Sequence, residues 1–287
     1  MNEIKEKLIC EEDYGSFQTR IKELKIGNDT WRYSISGQGK KLLLALLSNI
    51  GGHYFALPLV EKMQTSHTVI ALSVPPLQKF ELSAQGLSTI IKHENFESCD
   101  AIGHSNGGVH IQNLIKSNPK IVDKVIFSHS LTSMSQEDAY QVNDTELDFY
   151  QKAQSVLKIL PVSLMVKAMI GKFSKGIKLS SGEVYSQKIQ NRMKEDLKWL
   201  TKKDILMIIK CMEDFIYNHT FSSEDYQNKS VLLLNSPTDK MVNEKQKVLM
   251  KKLCPNAKEY SFIKGGHTPM VSNGEEYYSV VKEFLVY

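Results

Sequence analysis

The chain has 287 residues, 41% of them hydrophobic and 24% charged, a balance that buries a sizeable core and excludes a disordered polyelectrolyte. Its formal charge of +4 rests almost wholly on lysine, with Arg20, Arg32 and Arg192 the only arginines. Bidentate recognition of bases and phosphates favours arginine, so this balance argues against a nucleic-acid partner. Cys10, Cys99, Cys211 and Cys254 are far apart, with neither C-x-x-C nor metal-ligand spacing, and read as free thiols in a reducing compartment.

Met1 to Asp13 alternates charged and apolar residues without the continuous apolar stretch of a signal peptide, and reads as a polar leader. No apolar run approaches the roughly 18 residues that span a bilayer. A cytoplasmic protein without a transmembrane segment is the expectation. Phe17 to Ile26 and Thr30 to Ser36 are predicted strands joined by the turn Gly27-Asn28-Asp29, a hairpin signal. Leu42 to Leu47 is continuously apolar, as a strand covered on both faces must be, and runs into Ser48-Asn49-Ile50-Gly51-Gly52 before a helix-like stretch to Met63.

Thr68 to Val74 is a further strand, stopped by Pro75-Pro76, and Ser83 to Lys92 has helical spacing. The apolar run Cys99 to Ile102 leads into Gly103-His104-Ser105-Asn106-Gly107 and a helix-like stretch from Val109 to Ile115; Val122 to Ser128 is the next strand. Strands alternating with helices imply a mainly parallel sheet covered on both faces. From Leu131 to Tyr226 the rhythm breaks into helix-like segments at Thr145 to Leu160, Ser186 to Leu200 and Asp204 to Asn218. It resumes with strand Val231 to Asn235, helix Asn243 to Leu253, strand Lys258 to Ile263 and a last helix Glu275 to Leu285. This organisation divides the chain into a core, 1–130 with 227–287, and an all-helical insertion, 131–226, expected to form a lid over the carboxyl edge of the sheet.

G-x-S-x-G between a strand and a helix is the sequence form of a nucleophile elbow. The serine there sits on a turn so sharp that a Cβ at either flanking position collides with a neighbouring element, which glycine at 103 and 107 avoids. A serine hydroxyl is a poor nucleophile near neutral pH, so it needs a base and a carboxylate that orients the base. In this arrangement both follow in the chain, at strand ends. Ser236-Pro237-Thr238-Asp239 after one strand offers Asp239 as the acid, with Glu244 nearby; Gly265-Gly266-His267 after the next offers His267 as the base. No acidic residue directly follows Val122 to Ser128, so the alternative acid position is empty.

With these residues in order, the chain resembles an α/β-hydrolase of the lid-bearing esterase, lipase and peptidase superfamily. The resemblance implies an α/β fold with a mainly parallel eight-stranded sheet flanked by helices, an all-helical lid after the sixth strand, and Ser105, Asp239 and His267 as nucleophile, acid and base. It also implies an oxyanion hole of backbone N–H groups from Asn106 and from the loop after the third strand. Where many relatives have His-Gly in that loop, this chain has Ser48-Asn49-Ile50, which makes Ile50 the candidate donor. Leu72-Ser73-Val74-Pro75-Pro76 likewise replaces the Asp-x-Pro-Gly-x-Gly of many relatives, and with the altered loop it is similar to the maspardin-like branch, some of whose members are discussed as binding proteins.

His104 and His110 flank the elbow and read as packing or surface residues, whereas His53, beside the oxyanion loop, and His129, after the sixth strand, are candidates to line the pocket mouth. The apolar stretch from Ile159 to Phe173, with Met165 and Met169, reads as a lid helix packed on the core, as the wall of an acyl pocket, or as both. The expected activity is hydrolysis of a small or medium carboxylic ester with an apolar part, through an acyl-enzyme on Ser105 and without metal or cofactor. Amide or thioester cleavage, acyl transfer, and a binding protein that keeps the fold without turnover are the alternatives.

Overall fold

The computed structural model describes residues 5–138, 144–168, 170, 171, 187, 190, 191, 193, 194, 197, 198 and 200–287. Among them nine strands form one sheet: β1 Lys5–Asp13, β2 Gln18–Ile26, β3 Asp29–Ser36, β4 Lys41–Leu46, β5 His67–Leu72, β6 Cys99–His104, β7 Val122–Ser128, β8 Ser230–Asn235 and β9 Lys258–Ser261. Their order is β1-β2-β3-β5-β4-β6-β7-β8-β9, antiparallel from β1 through the β3–β5 pair and parallel from β5 to β9.

The expected eight strands are present, and β1 is a ninth. Lys5–Asp13, which reads as a polar leader, pairs antiparallel with β2 from Lys5↔Lys25 to Asp13↔Gln18. Its charged and apolar residues alternate, but none of its side chains is buried, and it is backbone pairing with β2 that makes it a strand. Charged side chains on such an edge discourage pairing with another chain.

The central strands follow their sequence closely. β5 and β6 are buried at every residue, and β4 at every residue but Lys41. On β4, Leu42, Leu44 and Leu46 belong to one core layer and Leu43 and Ala45 to the other, the period-two alternation of a strand covered twice. The first layer takes Leu87, Ile90 and Ile91 of helix α3 (Leu82–His93) and Val109, Ile111 and Leu114 of helix α4 (Asn106–Ser117). The second takes Leu57, Val60 and Met63 of helix α2 (Leu57–Met63) and Tyr277, Val281 and Leu285 from the C-terminal helix. The short α1 Gly52–Phe55 precedes α2.

Between β7 and β8 the described residues contain α5 Asp144–Ile159, a helical stretch at 162–168 and α6 Lys202–Asn218. A capping box, in which Thr201 Oγ accepts the Asp204 N–H and the Asp204 carboxylate accepts the Thr201 N–H, starts α6. Of the helix expected at Ser186 to Leu200, residues 187, 190, 191, 193 and 194 are described and helical, while 197, 198 and 200 are described and not helical. After β8 come α7 Glu244–Leu253, β9, α8 Pro269–Ser272 and α9 Gly274–Val286.

The chain passes from β4 outward to β5 and then returns to place β6 on the other side of β4. Connections from β4 and β6 therefore leave in opposite directions, and the crevice at their carboxyl ends is a topological switch point, where open α/β sheets bind ligands. Both loops singled out by sequence end there: Ser48 to Gly52 after β4, and Ser105 after β6.

Candidate active site

β6 delivers Ser105 and α4 carries the chain away from it. Ser105 has φ 52° and ψ −125°, a conformation that costs a non-glycine residue free energy and must be held by its surroundings. Three hydrogen bonds hold it. Its N–H donates to Ser128 O at 2.9 Å, and its carbonyl accepts from Gly108 N–H at 3.0 Å and from Ser130 Oγ at 3.0 Å. A Cβ on Gly103 would strike the backbone of Gly108, and one on Gly107 would strike the carbonyl oxygen of Leu46 on β4. Both glycines are there for close approach, as the motif requires.

Asp239 and His267 come from the loops after β8 and β9. His267 Nδ1 lies 3.0 Å from Asp239 Oδ2 and 3.2 Å from Oδ1. An ionised carboxylate only accepts, so Nδ1 carries a proton, and in a neutral ring the lone pair is then on Nε2. Asp239 Oδ1 also accepts the N–H groups of Met241 at 2.7 Å and Val242 at 3.2 Å. Burial by itself pushes this carboxyl up; the bond and charge of His267, with the two backbone donors, outweigh it and hold the carboxyl below its ordinary value. Glu244, the other acid near this turn, is exposed and paired with Lys247 at 2.6 Å.

His267 reaches back to the elbow. Its ring centroid is 4.9 Å from that of His104, the residue before Ser105, and 6.1 Å from that of His129. Beneath it runs a buried chain of hydroxyls and imidazoles: His104 Nδ1 to Ser128 Oγ at 3.3 Å, Ser128 Oγ to His129 Nδ1 at 3.2 Å, and His129 Nε2 to Ser236 Oγ at 2.9 Å. Burial pushes His129 down to about 4, and burial followed by the neighbouring His267 and His129 pushes His104 down as well, so both rings are neutral near pH 7. Ser236 in turn anchors the acid turn, its carbonyl accepting Lys247 Nζ at 2.8 Å and the Asp239 N–H at 3.3 Å.

The residues expected at the pocket are placed differently from one another. His129 is wholly buried, has φ 48°, and engages both ring nitrogens with serine hydroxyls, so it stands under His267 rather than at a pocket mouth. His53 is buried against the Tyr54 ring, with centroids 4.0 Å apart, and lines a cavity of about 470 Å³ beside the loop after β4. Met165 is partly buried and packed on the core, but it is not among the residues lining that cavity; Met169 lies outside the described residues. The apolar stretch around them is divided. Val162 and Val166 pack on the core with Met165, whereas Ile159 is 82% exposed.

Asn106 is the first residue of α4, where a backbone N–H has no partner within the helix. Its side chain meets Tyr150 of α5: Asn106 Nδ2 donates to the Tyr150 hydroxyl at 3.1 Å, and that hydroxyl lies 3.3 Å from Asn106 Oδ1. In the loop facing it, Ile50 N–H donates to Ser48 Oγ at 3.3 Å while Ser48 Oγ donates to Ile50 O at 2.8 Å. Ser73 Oγ ties this loop to β5, donating to Ser48 O at 2.8 Å and accepting Gly52 N–H at 2.8 Å. The substituted segments after β4 and β5 thus hold each other, and serine hydroxyls shape a loop in which many relatives have His-Gly. Sequence reading missed Tyr150, because nothing in a helix sequence says which hydroxyl will face a distant elbow. Ser73 had a signal, since it falls in the segment that departs from the common pattern.

Among the described residues one group of carboxylates and imidazole converges as metal ligands do, Glu6, His93 and Glu94. Lys22 Nζ lies 3.0 Å from Glu6 and 2.8 Å from Glu94, so an ammonium already sits among them.

An elbow serine, a carboxylate-bound imidazole and a helix N-terminus at the switch point of a parallel sheet define a hydrolase-type architecture. The chain belongs to the α/β-hydrolase fold family, whose model matches residues 84–273. Its structure is similar to that of a mutant epoxide hydrolase from Bacillus megaterium, at 15% identity over 92% of this chain and 100% of that one, with a TM-score of 0.73. It is also similar to an esterase from Rhodococcus sp., at 15% identity, 94% and 98% coverage and a TM-score of 0.66, and to a marine microorganism esterase, at 18%, 88%, 98% and 0.63. At these identities the likeness is one of fold. Comparison with curated proteins gives no match. No helix among the described residues is long and apolar enough to cross a membrane.

Proposed function

We propose that this chain is a serine hydrolase that cleaves a small or medium carboxylic ester with an apolar part through an acyl-enzyme on Ser105. The observation that carries the proposal is the Asp239–His267 pair, 3.0 Å apart, with its imidazole lying against the residue that precedes a strained elbow serine. His267 Nε2 takes the Ser105 hydroxyl proton as Oγ attacks the ester carbonyl. The N–H groups of Asn106 and Ile50 receive the oxyanion, each donor contributing about 2.7 to 4 kcal/mol to transition-state stability. The C–O bond to the alcohol then breaks, and the alcohol leaves with the proton from His267. Water attacks the acyl-enzyme, His267 accepting its proton, and the acid departs as Ser105 regains its own.

Residues 131–226 act in this reading as a lid on the core formed by 1–130 and 227–287. Tyr150 of α5 bonds to Asn106, and Met207 and Ile208 of α6 line the cavity beside the Ile50 loop, which supports that role. Four free cysteines fit a reducing, cytoplasmic setting, and the partner in this reading is a small-molecule acyl substrate.

One observation favours a binding protein without turnover: the Ile50 N–H is already engaged by Ser48. At 3.3 Å that bond is long, and the stronger acceptor, a developing oxyanion, outcompetes a hydroxyl. Turnover of p-nitrophenyl acetate and butyrate, beside the matching thioesters and anilides, tests the proposal. Ester hydrolysis lost in Ser105→Ala is expected. Hydrolysis of the anilides or thioesters alone would reassign the bond, and no turnover of any acyl compound by the folded protein would leave the binding protein.

A further inference from the structure

The cavity of about 470 Å³ is within the range of small-molecule sites. The strands that border it, set against those that carry the proposed catalytic groups, say which half of an ester it receives. It opens off the carboxyl ends of β4 and β5, and Asn49, Ile50 and Gly51 of the proposed oxyanion loop are part of its wall. In the sheet order β5-β4-β6-β7-β8-β9, β6 with Ser105 separates this end from β8 and β9, which bring Asp239 and His267. The strands that bring the base and the strands that border the cavity thus lie on opposite sides of β6.

General-acid chemistry breaks the symmetry of the substrate. His267 must hand its proton to the leaving oxygen, so the alcohol half lies on the β7–β9 side, within hydrogen-bond reach of the imidazole. The substituent on the acyl carbon then points away, past the oxyanion donors and toward β4 and β5. Ile50, Val74, Pro75, Leu200, Met207 and Ile208 make the cavity's walls largely apolar. Among its lining residues Glu23, Asp29 and Asp204 outnumber Arg32, and Arg32 stands opposite Glu23 in the β2–β3 register. A carboxylate on the substrate would meet repulsion there.

On the serine-hydrolase reading above, we infer that this cavity is the acyl-binding site and that the acyl group it takes is neutral, apolar and larger than acetyl. The alcohol half, facing His267, is not held by it. Acyl length therefore governs kcat/KM more than alcohol length does.

Two ester series test this, p-nitrophenyl esters from acetyl to octanoyl and acetate esters of alcohols over the same lengths. Each methylene buried in the cavity is worth about four-fold in kcat/KM, so the acyl series rises by that step until the cavity is filled, while the alcohol series stays nearly flat. Met207→Trp and Val74→Phe fill the cavity from two different elements. Each lowers the octanoyl-to-acetyl ratio at least ten-fold without a matching change in the alcohol series, and a ratio does not depend on how much of a variant is folded. The p-nitrophenyl monoester of adipic acid is at least ten-fold poorer than the hexanoyl ester.

An acyl ratio unchanged in both variants, or a shift confined to the alcohol series, overturns the assignment while leaving the serine hydrolase intact. If no ester is cleaved and Ser105 resists a fluorophosphonate, the hydrolase reading fails and the acyl site fails with it.

Discussion

Asp239→Asn is a nearly isosteric change whose consequence follows from the bonds around the carboxylate. Oδ1 accepts two backbone N–H groups, from Met241 at 2.7 Å and Val242 at 3.2 Å, and Oδ2 is the nearer oxygen to His267 Nδ1 at 3.0 Å. The asparagine amide must keep its oxygen at the Oδ1 position; turned over, its NH₂ would face two donors, and each unsatisfied buried group costs about 1–3 kcal/mol. Its NH₂ therefore falls where Oδ2 was and donates to Nδ1, which forces the proton of a neutral His267 onto Nε2. That tautomer cannot accept the Ser105 proton. Packing against His104 and His129, at 4.9 and 6.1 Å, opposes a ring flip that would restore it. A wrong-tautomer base costs roughly 10³- to 10⁴-fold in kcat, or about 4 to 5.5 kcal/mol. The assay is kcat on the best p-nitrophenyl ester at pH 7, with circular dichroism and a melting curve to establish that the variant is folded. A folded variant within ten-fold of the parent refutes the argument that Asp239 works by fixing the tautomer.

Other consequences concern stability. His129 has its ordinary value of 6.5 in the unfolded chain and is held at about 4 by burial in the fold. Between those values the unfolded chain binds a proton that the native one does not. The contribution of its neutral burial is thus complete above pH 6.5 and declines by about 3 kcal/mol as pH falls to 4. Urea denaturation at a series of pH values should show His129→Gln with a profile flatter than the parent's by that amount, and parallel profiles would contradict a neutral buried ring. Gly107→Ala sets a Cβ against the Leu46 carbonyl, which no side-chain rotation relieves, and should lower unfolding free energy by more than about 3 kcal/mol in chemical denaturation. Tyr150→Phe leaves the buried Asn106 amide without its hydroxyl partner; a loss of about 1–2 kcal/mol is expected, with a double-mutant cycle against Asn106→Ala returning a coupling near 1 kcal/mol. Additive effects in that cycle would argue against the contact between α5 and the elbow.

The parts of the fold that the sequence announces are those where burial is two-sided and turns demand special residues. β4 reads as an unbroken apolar run, and β5 and β6 as short segments rich in apolar residues, because helices cover both faces, and the elbow reads as G-x-S-x-G because two Cβ atoms have no room there. Asp239 is legible because it follows the buried strand β8, and His267 because the Gly265-Gly266 turn precedes it; β9 itself is mostly exposed. β1 is not legible, because an exposed edge strand is held by backbone bonds to β2 and buries none of its side chains, so its alternation of charged and apolar residues marks no core face. The pocket residues fared unevenly. His129 sits where a pocket residue would by chain position, but its positive φ and its two serine partners turn the ring beneath His267, and neither is encoded in its neighbours. The loop after β4 shows the limit most plainly: sequence marks Ile50 by its place after β4, while the hydroxyls of Ser48 and Ser73 that shape the loop depend on how two strand ends pack.

The central claim is that Ser105 is a nucleophile activated by His267, and a fluorophosphonate probe addresses it without knowledge of the substrate. Intact-mass spectrometry of the folded protein should show one adduct per chain, peptide mapping should place it on Ser105, Ser105→Ala should abolish it, and His267→Ala should slow it by at least a hundred-fold. A folded protein that stays unmodified, or an adduct that forms equally fast without His267, would contradict the account.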